Sequence, residues 1–591
     1  MTPAASLPIE RAGTRVEPRA GIAWPVWAML SALPWLLPLH APPWPMFWSE
    51  ALMAALLLPV AAWAVWRAGG RVRIDALTAG CAAVALLPLL QAWAGRLLIP
   101  GEAPLASLYL GAFALTLLVA RQAQEQAPGR LVDALFAGLA AAALASTGLA
   151  LYQRLGLDVL GLLVAPSPER DRAVANIGQP NNLATLLLWG LVAVGWGVRR
   201  GSIGAAVAWC ASAFLLVGVV LCQSRTAWLG LALLACVALF CRPLAGPSRR
   251  ARLAFVASLA LWCLAVVAVA SGWGGWAGEG TVRTLDQQVA AGTRPTLWRM
   301  ALTAIAAEPW AGWGWNQGVT VHVAYAERFP IPEIMQFAHN VVLDLLLWNG
   351  VPLGLLILAG LGAWGWRQWR GPQDAERALL LTALALFLLH ASLELPHAYL
   401  YFLLPAAVMM GTLSAGRPSA TLAHAPAALV GAAVAVHGVA LAVAAIDYGR
   451  IQDDLEAFAF RSARIGRLVV PAAPELRLLG ALQAALVQMR TEPARGMAPA
   501  DLEAMRRTAS RYPGHGLLLR YAEAAALNGR PDEARRALGV LCAVYSRTIC
   551  ARADVAWRQG AAAGKPEMAA VEVPVRRAAA ARSAPGDANA R

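Results

Sequence analysis

The sequence predicts an all-α polytopic membrane protein: about 13 transmembrane helices, a large loop on the outer face and a helical C-terminal domain. Three observations predict it. Hydrophobic residues make up 59% of the 591 and charged residues only 14%, a balance far from that of a soluble domain. Apolar runs of about 17–25 residues recur along the chain, each long enough to cross the hydrocarbon core of a bilayer. Arginines collect in every second loop, the asymmetry that sets orientation during insertion.

Residues 1–21 carry Arg11, Arg15 and Arg19 and read as a cytoplasmic N-terminal segment. The proline-interrupted apolar stretch 22–39 has no small-residue cleavage site after it and further spans close behind. It therefore reads as an uncleaved first helix rather than a signal peptide. Further spans are expected near 51–67, 76–95, 104–120, 131–151, 182–198, 204–222, 226–242, 252–271, 339–363, 377–394, 396–414 and 426–446. Loops bearing Arg67, Arg71 and Arg73, then Arg121 and Arg130, Arg199 and Arg200, Arg249 and Arg250, and Arg367 and Arg370 fall on one side. The alternate loops are poor in arginine: 40–50 has none and 96–103 only Arg96. The positive-inside rule puts the first set in the cytoplasm, and loops 152–181 and 272–338 outside. Those two loops still carry Arg154, Arg172, Arg294, Arg299 and Arg328 among others. Long loops translocate regardless of charge, and basic groups held at the outer face suggest an anionic ligand. The net charge of +15 thus belongs to topology and to this face, and no nucleic-acid partner is expected.

Residues 22–446 form the expected transmembrane domain, and 447–562 a separate outer helical domain, with charges at helical spacing. Within it, LLLRYAEAAALNGRPDEARRALGVL reads as helix, Gly-Arg-Pro-Asp turn, helix, either a tetratricopeptide-type hairpin or a generic helical unit. Residues 563–591, rich in Ala, Arg and Pro, are expected to be disordered. Six of the eight cysteines lie in apolar spans; Cys542 and Cys550 lie in the outer domain, where spacing alone leaves a disulfide open.

The chemistry points to the outer membrane edge. His339 stands where a polar, tryptophan-rich loop runs into a long apolar helix. It is either a structural or interfacial histidine, or a group that takes or positions the proton of an incoming hydroxyl. Arg225 lies between two apolar spans, where a charge is costly, so it is either a snorkelling side chain or a functional one. Arg294, just before Pro295, and Arg299 follow in the large loop. Guanidinium groups match the oxygens of a diphosphate and would make it a better leaving group. Gln179, Asn181 and Asn182 precede an apolar span, as helix caps or as ligands for sugar hydroxyls. Glu394, between His390 and His397, is a carboxylate that needs a partner, and an outer-site arginine is the expected one. Trp298, Trp310, Trp313 and Trp315 suit an interfacial belt or a sugar-stacking surface. No metal-ligand spacing, outer-loop Asp-x-Asp or nucleotide-binding glycine loop is present, so neither metal nor cofactor is expected. A lipid-linked glycan transporter would instead show internal repeats or mid-membrane charge.

The runs QSRTAWLGLAL, GTRPTLW…EPWAGWGW and FAHNVVLDLLLWNGVPLG together resemble the O-antigen ligase and polymerase superfamily. NIGQPNNLATLLLWG and HASLELPHAYLYFLLPAAVMMG narrow the resemblance to the bacterial pilin O-oligosaccharyltransferases of PglL type. The motifs cover roughly 170–415, and the whole layout agrees. The resemblance implies a GT-C-like glycosyltransferase in the bacterial inner membrane, its active site and C-terminal domain periplasmic. It implies en bloc transfer of a preassembled glycan from undecaprenyl diphosphate to Ser or Thr of pilin or another periplasmic protein. That transfer is metal-independent and inverting. His339 matches the family's essential histidine, and Arg225 and Arg294 its arginines; Arg299 rests on the residues alone. The chain departs at Leu395, where an aromatic is expected, and at Asn182, where a histidine is expected, and both bear on acceptor class. The alternative is an O-antigen ligase that delivers the glycan to lipid A-core.

Overall fold

The computed structural model describes residues 22–166, 172–241, 249–272, 292–371, 374–415, 421–463 and 472–575. Every expected span coincides with helix. Seven helical stretches are long and apolar enough to cross a membrane: Phe47–Arg67, Ala76–Trp93, Pro100–Gln126, Arg130–Arg154, Pro180–Arg199, Val341–Arg370 and Ala427–Arg461. Ala205–Leu221, Arg225–Phe240 and Leu400–Ala415 are shorter apolar helices among them. The chain is a mainly helical, multi-pass membrane protein.

Prolines set several breaks. The first span is two short helices, Trp24–Leu30 and Leu33–Leu36, with Pro34 in the first turn of the second. Pro88 likewise begins Leu87–Trp93 after Ala76–Val84 has ended. Proline lacks the N–H a continuous helix needs but suits a first turn.

The Pro180–Arg199 helix lies at the centre and is buried along most of its length. It starts where sequence places a cap: Gln179 Oε1 accepts from Asn182 N at 2.6 Å, and Pro180 follows. Trp189 is fully buried, donates to Ala383 O at 2.8 Å, and meets Trp35 edge-on at 6.2 Å between ring centres. Small residues let neighbouring helices close in: a Cβ on Gly218 would sit 2.8 Å from Thr147 Oγ1.

The arginine-rich loops share one end of this bundle. There Arg200 pairs with Asp133 at 2.7 Å and Glu376 at 3.1 Å, and Arg121 with Asp75 at 2.8 Å. One departure from an all-helical chain is a two-stranded antiparallel sheet, Arg71–Asp75 against Thr421–Pro426. Val72 faces inward, and Asp75 ends its strand by capping the next helix through Thr78 N at 2.9 Å.

At the other end the Val341–Arg370 helix is kinked at Gly350, whose φ of 75° no helix admits, two residues before Pro352. The kink frees carbonyls that the outer loop takes up. Trp313 N donates to Leu347 O at 2.9 Å and Gly314 N to Trp348 O at 3.1 Å. Gln91 Nε2 donates to Trp348 O at 3.0 Å, and Val351 N donates to Pro309 O at 2.7 Å. A broken helix at this depth is tolerable because its polar groups are met by protein. Two helices, Arg294–Ala307 and Gly318–Tyr325, complete the described part of the loop. Its tryptophans mostly build this subdomain. Trp298 and Trp313 donate to Ala338 O and Ala304 O, each at 3.0 Å, and Trp315 packs on Trp348, while Trp310 is exposed.

Two expected boundaries move. The Ala427–Ser462 helix runs unbroken through 447, so the apolar span and the charged segment after it share one helix. Residues 563–575 are ordered, not part of a disordered tail: Pro566–Ala569 is helical, and Met568 and Val571 are buried. Trp557 Nε1 bonds both Met568 O and Val571 O at 2.9 Å, and this apolar seam holds the segment. Residues 576–591 lie outside the described residues. The expected helix–turn–helix is His515–Leu527 and Pro531–Val544, with Gly529 at φ 72° in the turn. Cys542 and Cys550 form a disulfide.

Candidate active site

Five chain segments meet at the end of the bundle that carries the 292–338 loop. They are the loop at 172–182, the junction at 222–225, the start of the Arg294–Ala307 helix, the turn at 337–341, and the turn at 392–401. Glu394, 6% exposed, is the centre. Its Oε1 takes Asn181 Nδ2 at 2.9 Å and the Arg294 guanidinium; its Oε2 faces His339 Nδ1 at 2.9 Å. A carboxylate buried here is costly unless paired, and the Arg294 guanidinium and the His339 imidazole are its partners. With Nδ1 turned to Glu394, Nε2 is the ring nitrogen left to face an incoming hydroxyl.

Asn181 ties this centre to two more groups. Its Oδ1 accepts from Ser224 Oγ at 2.7 Å and from Arg172 Nη2 at 3.2 Å. Arg172 Nε in turn donates to Cys222 O at 3.1 Å. Ser224 caps the Arg225–Phe240 helix through Ala227 N at 3.3 Å, which sets Arg225 as its first residue. The Arg225 guanidinium lies 3.8 Å from where a Cβ on Gly292 would stand, two residues before Arg294. Arg294 thus holds the carboxylate itself, while Arg172 reaches Asn181 and Arg225 lies near Gly292, a basic grouping suited to an anion. Among the described residues, Ala175, Gln223, Asn316 and His339 are the non-glycine residues at positive φ. Three of the four border this site, where strained backbone concentrates when it positions reacting groups.

Of the residues singled out in the sequence, His339, Arg225, Arg294, Asn181 and Glu394 come together. Glu394 has the arginine partner expected of it, Arg294. Asn182 is buried beside them but points to Tyr401 OH, 3.0 Å from Nδ2. Gln179 spends its side-chain oxygen on the helix cap. Arg299 projects from the exposed face of its helix, opposite Leu297, Met300 and Ala304. Sequence reading named Arg172 only among the basic residues of its loop, and passed over Ser224 and Asp344. Arg172 had a signal, since it shares its loop with Asn181. The other two are ordinary polar residues at helix starts until packing reveals their partners.

The O-antigen ligase family matches residues 210–359, and the protein glycosylation ligase family 173–196. The C-terminal part of the virulence factor membrane-bound polymerases matches 378–559. A General O-oligosaccharyltransferase of Acinetobacter baylyi is 30% identical over 420 residues, 68% of this chain and 72% of that protein. A ComP-specific O-oligosaccharyltransferase of the same organism is 27% identical over 249 residues, 42% of this chain and 45% of that protein. Extended similarity at this level, with the ligase motifs folded around one carboxylate, means that the chain belongs to the protein O-oligosaccharyltransferases of the O-antigen ligase superfamily.

Proposed function

We propose that this enzyme moves a preassembled glycan en bloc from undecaprenyl diphosphate to a Ser or Thr hydroxyl of pilin or another periplasmic protein. The observation that carries the reading is the His339–Glu394–Arg294 group. One carboxylate orients the imidazole and holds an arginine beside it. Nε2 of His339 accepts the acceptor hydroxyl's proton as its oxygen attacks the anomeric carbon. The bond from that carbon to the diphosphate oxygen breaks, and its electron pair leaves with the diphosphate. Arg225, Arg294 and Arg172 meet the charge that develops there. Attack opposite the leaving group inverts configuration. Arg299 adds to the basic field from the exposed face rather than by contact. Asn181 and Asn182 act from behind, holding Glu394 and Tyr401, with Gln179 fixing their helix.

The same reading places the chain in the bacterial inner membrane with about 13 crossings and a cytoplasmic N-terminus. The active site and residues 447–562 are then periplasmic. The positive-inside pattern supports this orientation, and so does the Cys542–Cys550 disulfide, a bond at home in an oxidising compartment. The superfamily also supports a ligase that glycosylates lipid A-core. The match at 173–196 to protein glycosylation ligases favours a protein acceptor.

The test is expression of wild type or His339→Ala with a pilin acceptor in a host that makes a defined lipid-linked glycan. Mass spectrometry then reads both pilin and lipopolysaccharide. Glycan on pilin Ser or Thr with wild type, and none with the variant, is expected. Glycan on lipid A-core alone would move the assignment to the ligase. A well-expressed, fully active variant would remove His339 from its role.

A further inference from the structure

Two histidine–carboxylate pairs cross at the outer edge. His339 and Asp344 stand on one segment, Glu394 and His397 on another, and each histidine meets the other segment's carboxylate. The outer pair, His339 Nδ1 to Glu394 Oε2 at 2.9 Å, faces the site. The inner pair, His397 Nε2 to Asp344 Oδ2 at 3.2 Å, lies behind it, and Asp344 is fully buried.

Asp344 sits in the first turn of the Val341–Arg370 helix but does not cap it. Asn340 does, accepting from Val342 N at 3.0 Å and Leu343 N at 3.2 Å. Asp344 reaches backward instead, and its Oδ1 accepts from Ala338 N at 2.7 Å. The same peptide neighbourhood is gripped elsewhere. Trp298 Nε1 donates to Ala338 O at 3.0 Å, and Asn340 Nδ2 to Ser392 O at 3.0 Å. The His397 ring stands edge-on to Phe337 at 5.7 Å. Residues 337–340 are therefore held on all sides, and the residue inside that grip is His339 at φ 53°, a left-handed conformation an imidazole-bearing residue keeps only under constraint. Among the described residues His397 Nδ1 is buried without a partner, and the ring makes its polar contact through Nε2, which faces Asp344.

We infer that Asp344 and His397 are positioning residues for His339: a buried carboxylate–histidine pair that fixes the Ala338–His339 peptide and so aims the imidazole. The inference rests on the reading of His339 given above. Asp344→Asn keeps an acceptor for Ala338 N but sets an N–H against His397 Nε2. His397→Phe keeps a ring against Phe337 and loses the donor, whereas His397→Gln keeps a donor.

The experiment uses full-length purified protein. It measures kcat and KM for glycan transfer, and separately the equilibrium affinity for undecaprenyl diphosphate. Asp344→Asn and His397→Phe are expected to lower kcat about 10–100-fold, the scale of a small misplacement of a reacting group. Affinity for undecaprenyl diphosphate stays at the wild-type value, because the arginines are not moved. His397→Gln keeps most of kcat. Wild-type kcat in both Asp344→Asn and His397→Phe would overturn the inference. So would a fall in lipid affinity parallel to kcat, which is the mark of a collapsed site. If Asp344→Asn does not accumulate, the contrast of His397→Phe with His397→Gln decides the same point. His339→Ala in the same assay separates the two readings. Lost activity there with intact Asp344→Asn sinks only the positioning role, while an active His339→Ala sinks the role of His339 itself.

Discussion

Glu394 shows what one buried carboxylate does when its neighbours are chosen for it. A lone buried carboxylate is costly, and here Arg294 and His339 supply its partners. Glu394→Gln takes the anion from His339 Nδ1, so kcat for transfer should fall about 100-fold or more, the usual worth of an acid–base group. Unchanged transfer by a well-folded Gln variant would mean that His339 needs no orienting anion. In the sequence Glu394 was legible as a carboxylate in want of a partner. Which arginine it would choose was not, since Arg294 is 100 residues away along the chain.

At the scale of elements, the kink at Gly350 is the device that seats the outer loop. Helix and loop meet backbone to backbone there: a Cβ on Gly312 would stand 2.5 Å from Gly350 N. One on Gly350 would overlap Trp310 O and stand 2.9 Å from Ala311 N. Both glycines also need positive φ, 68° and 75°. Gly350→Ala should therefore cost roughly 3 kcal/mol or more in stability, through strain and displaced loop backbone. Transfer activity should drop with it, because the displaced loop leads into His339. Gly360→Ala in the same helix meets open space and should be neutral to within about 0.5 kcal/mol. Thermal midpoints of the two variants in one detergent make the comparison. If both behave alike, the kink is not what holds the loop.

Across the whole molecule, the C-terminal helices are fastened to the membrane part through Glu102, at the start of the Ala103–Gln126 helix. Its carboxylate accepts from Arg511 Nε at 2.7 and 2.9 Å, Tyr512 OH at 3.0 Å and Gln317 Nε2 at 3.2 Å. One side chain thus joins the bundle, the outer loop and the C-terminal helices. An apolar seam adds to it, with Ala326 of the loop buried in the core of those helices. Glu102→Ala leaves Arg511 mostly buried without this anion, an arrangement that costs about 3–5 kcal/mol. Faster amide exchange is expected along Pro499–Arg511 and at Gln317, while the bundle helices are unaffected. Unchanged protection across that interface would show that the apolar seam alone docks the domain.

The sequence by itself determined the class of the protein and the place of nearly every helix, and it singled out His339, Arg225, Arg294, Asn181 and Glu394 as candidates. Hydropathy over a bilayer's length, proline at first turns, arginine asymmetry and motif order are all local signals, carried by residues close in the chain. Only the tertiary structure decided which of those groups touch. It made Glu394 the centre, turned Gln179 to capping and Arg299 to the exposed face, and brought in Arg172, Ser224 and Asp344. It also paired strands 71–75 and 421–426 and ordered residues 563–575 against Trp557. The reason is physical: a buried polar group takes whatever partner the packed helices bring within about 3 Å. That choice is made by distances between segments far apart in sequence.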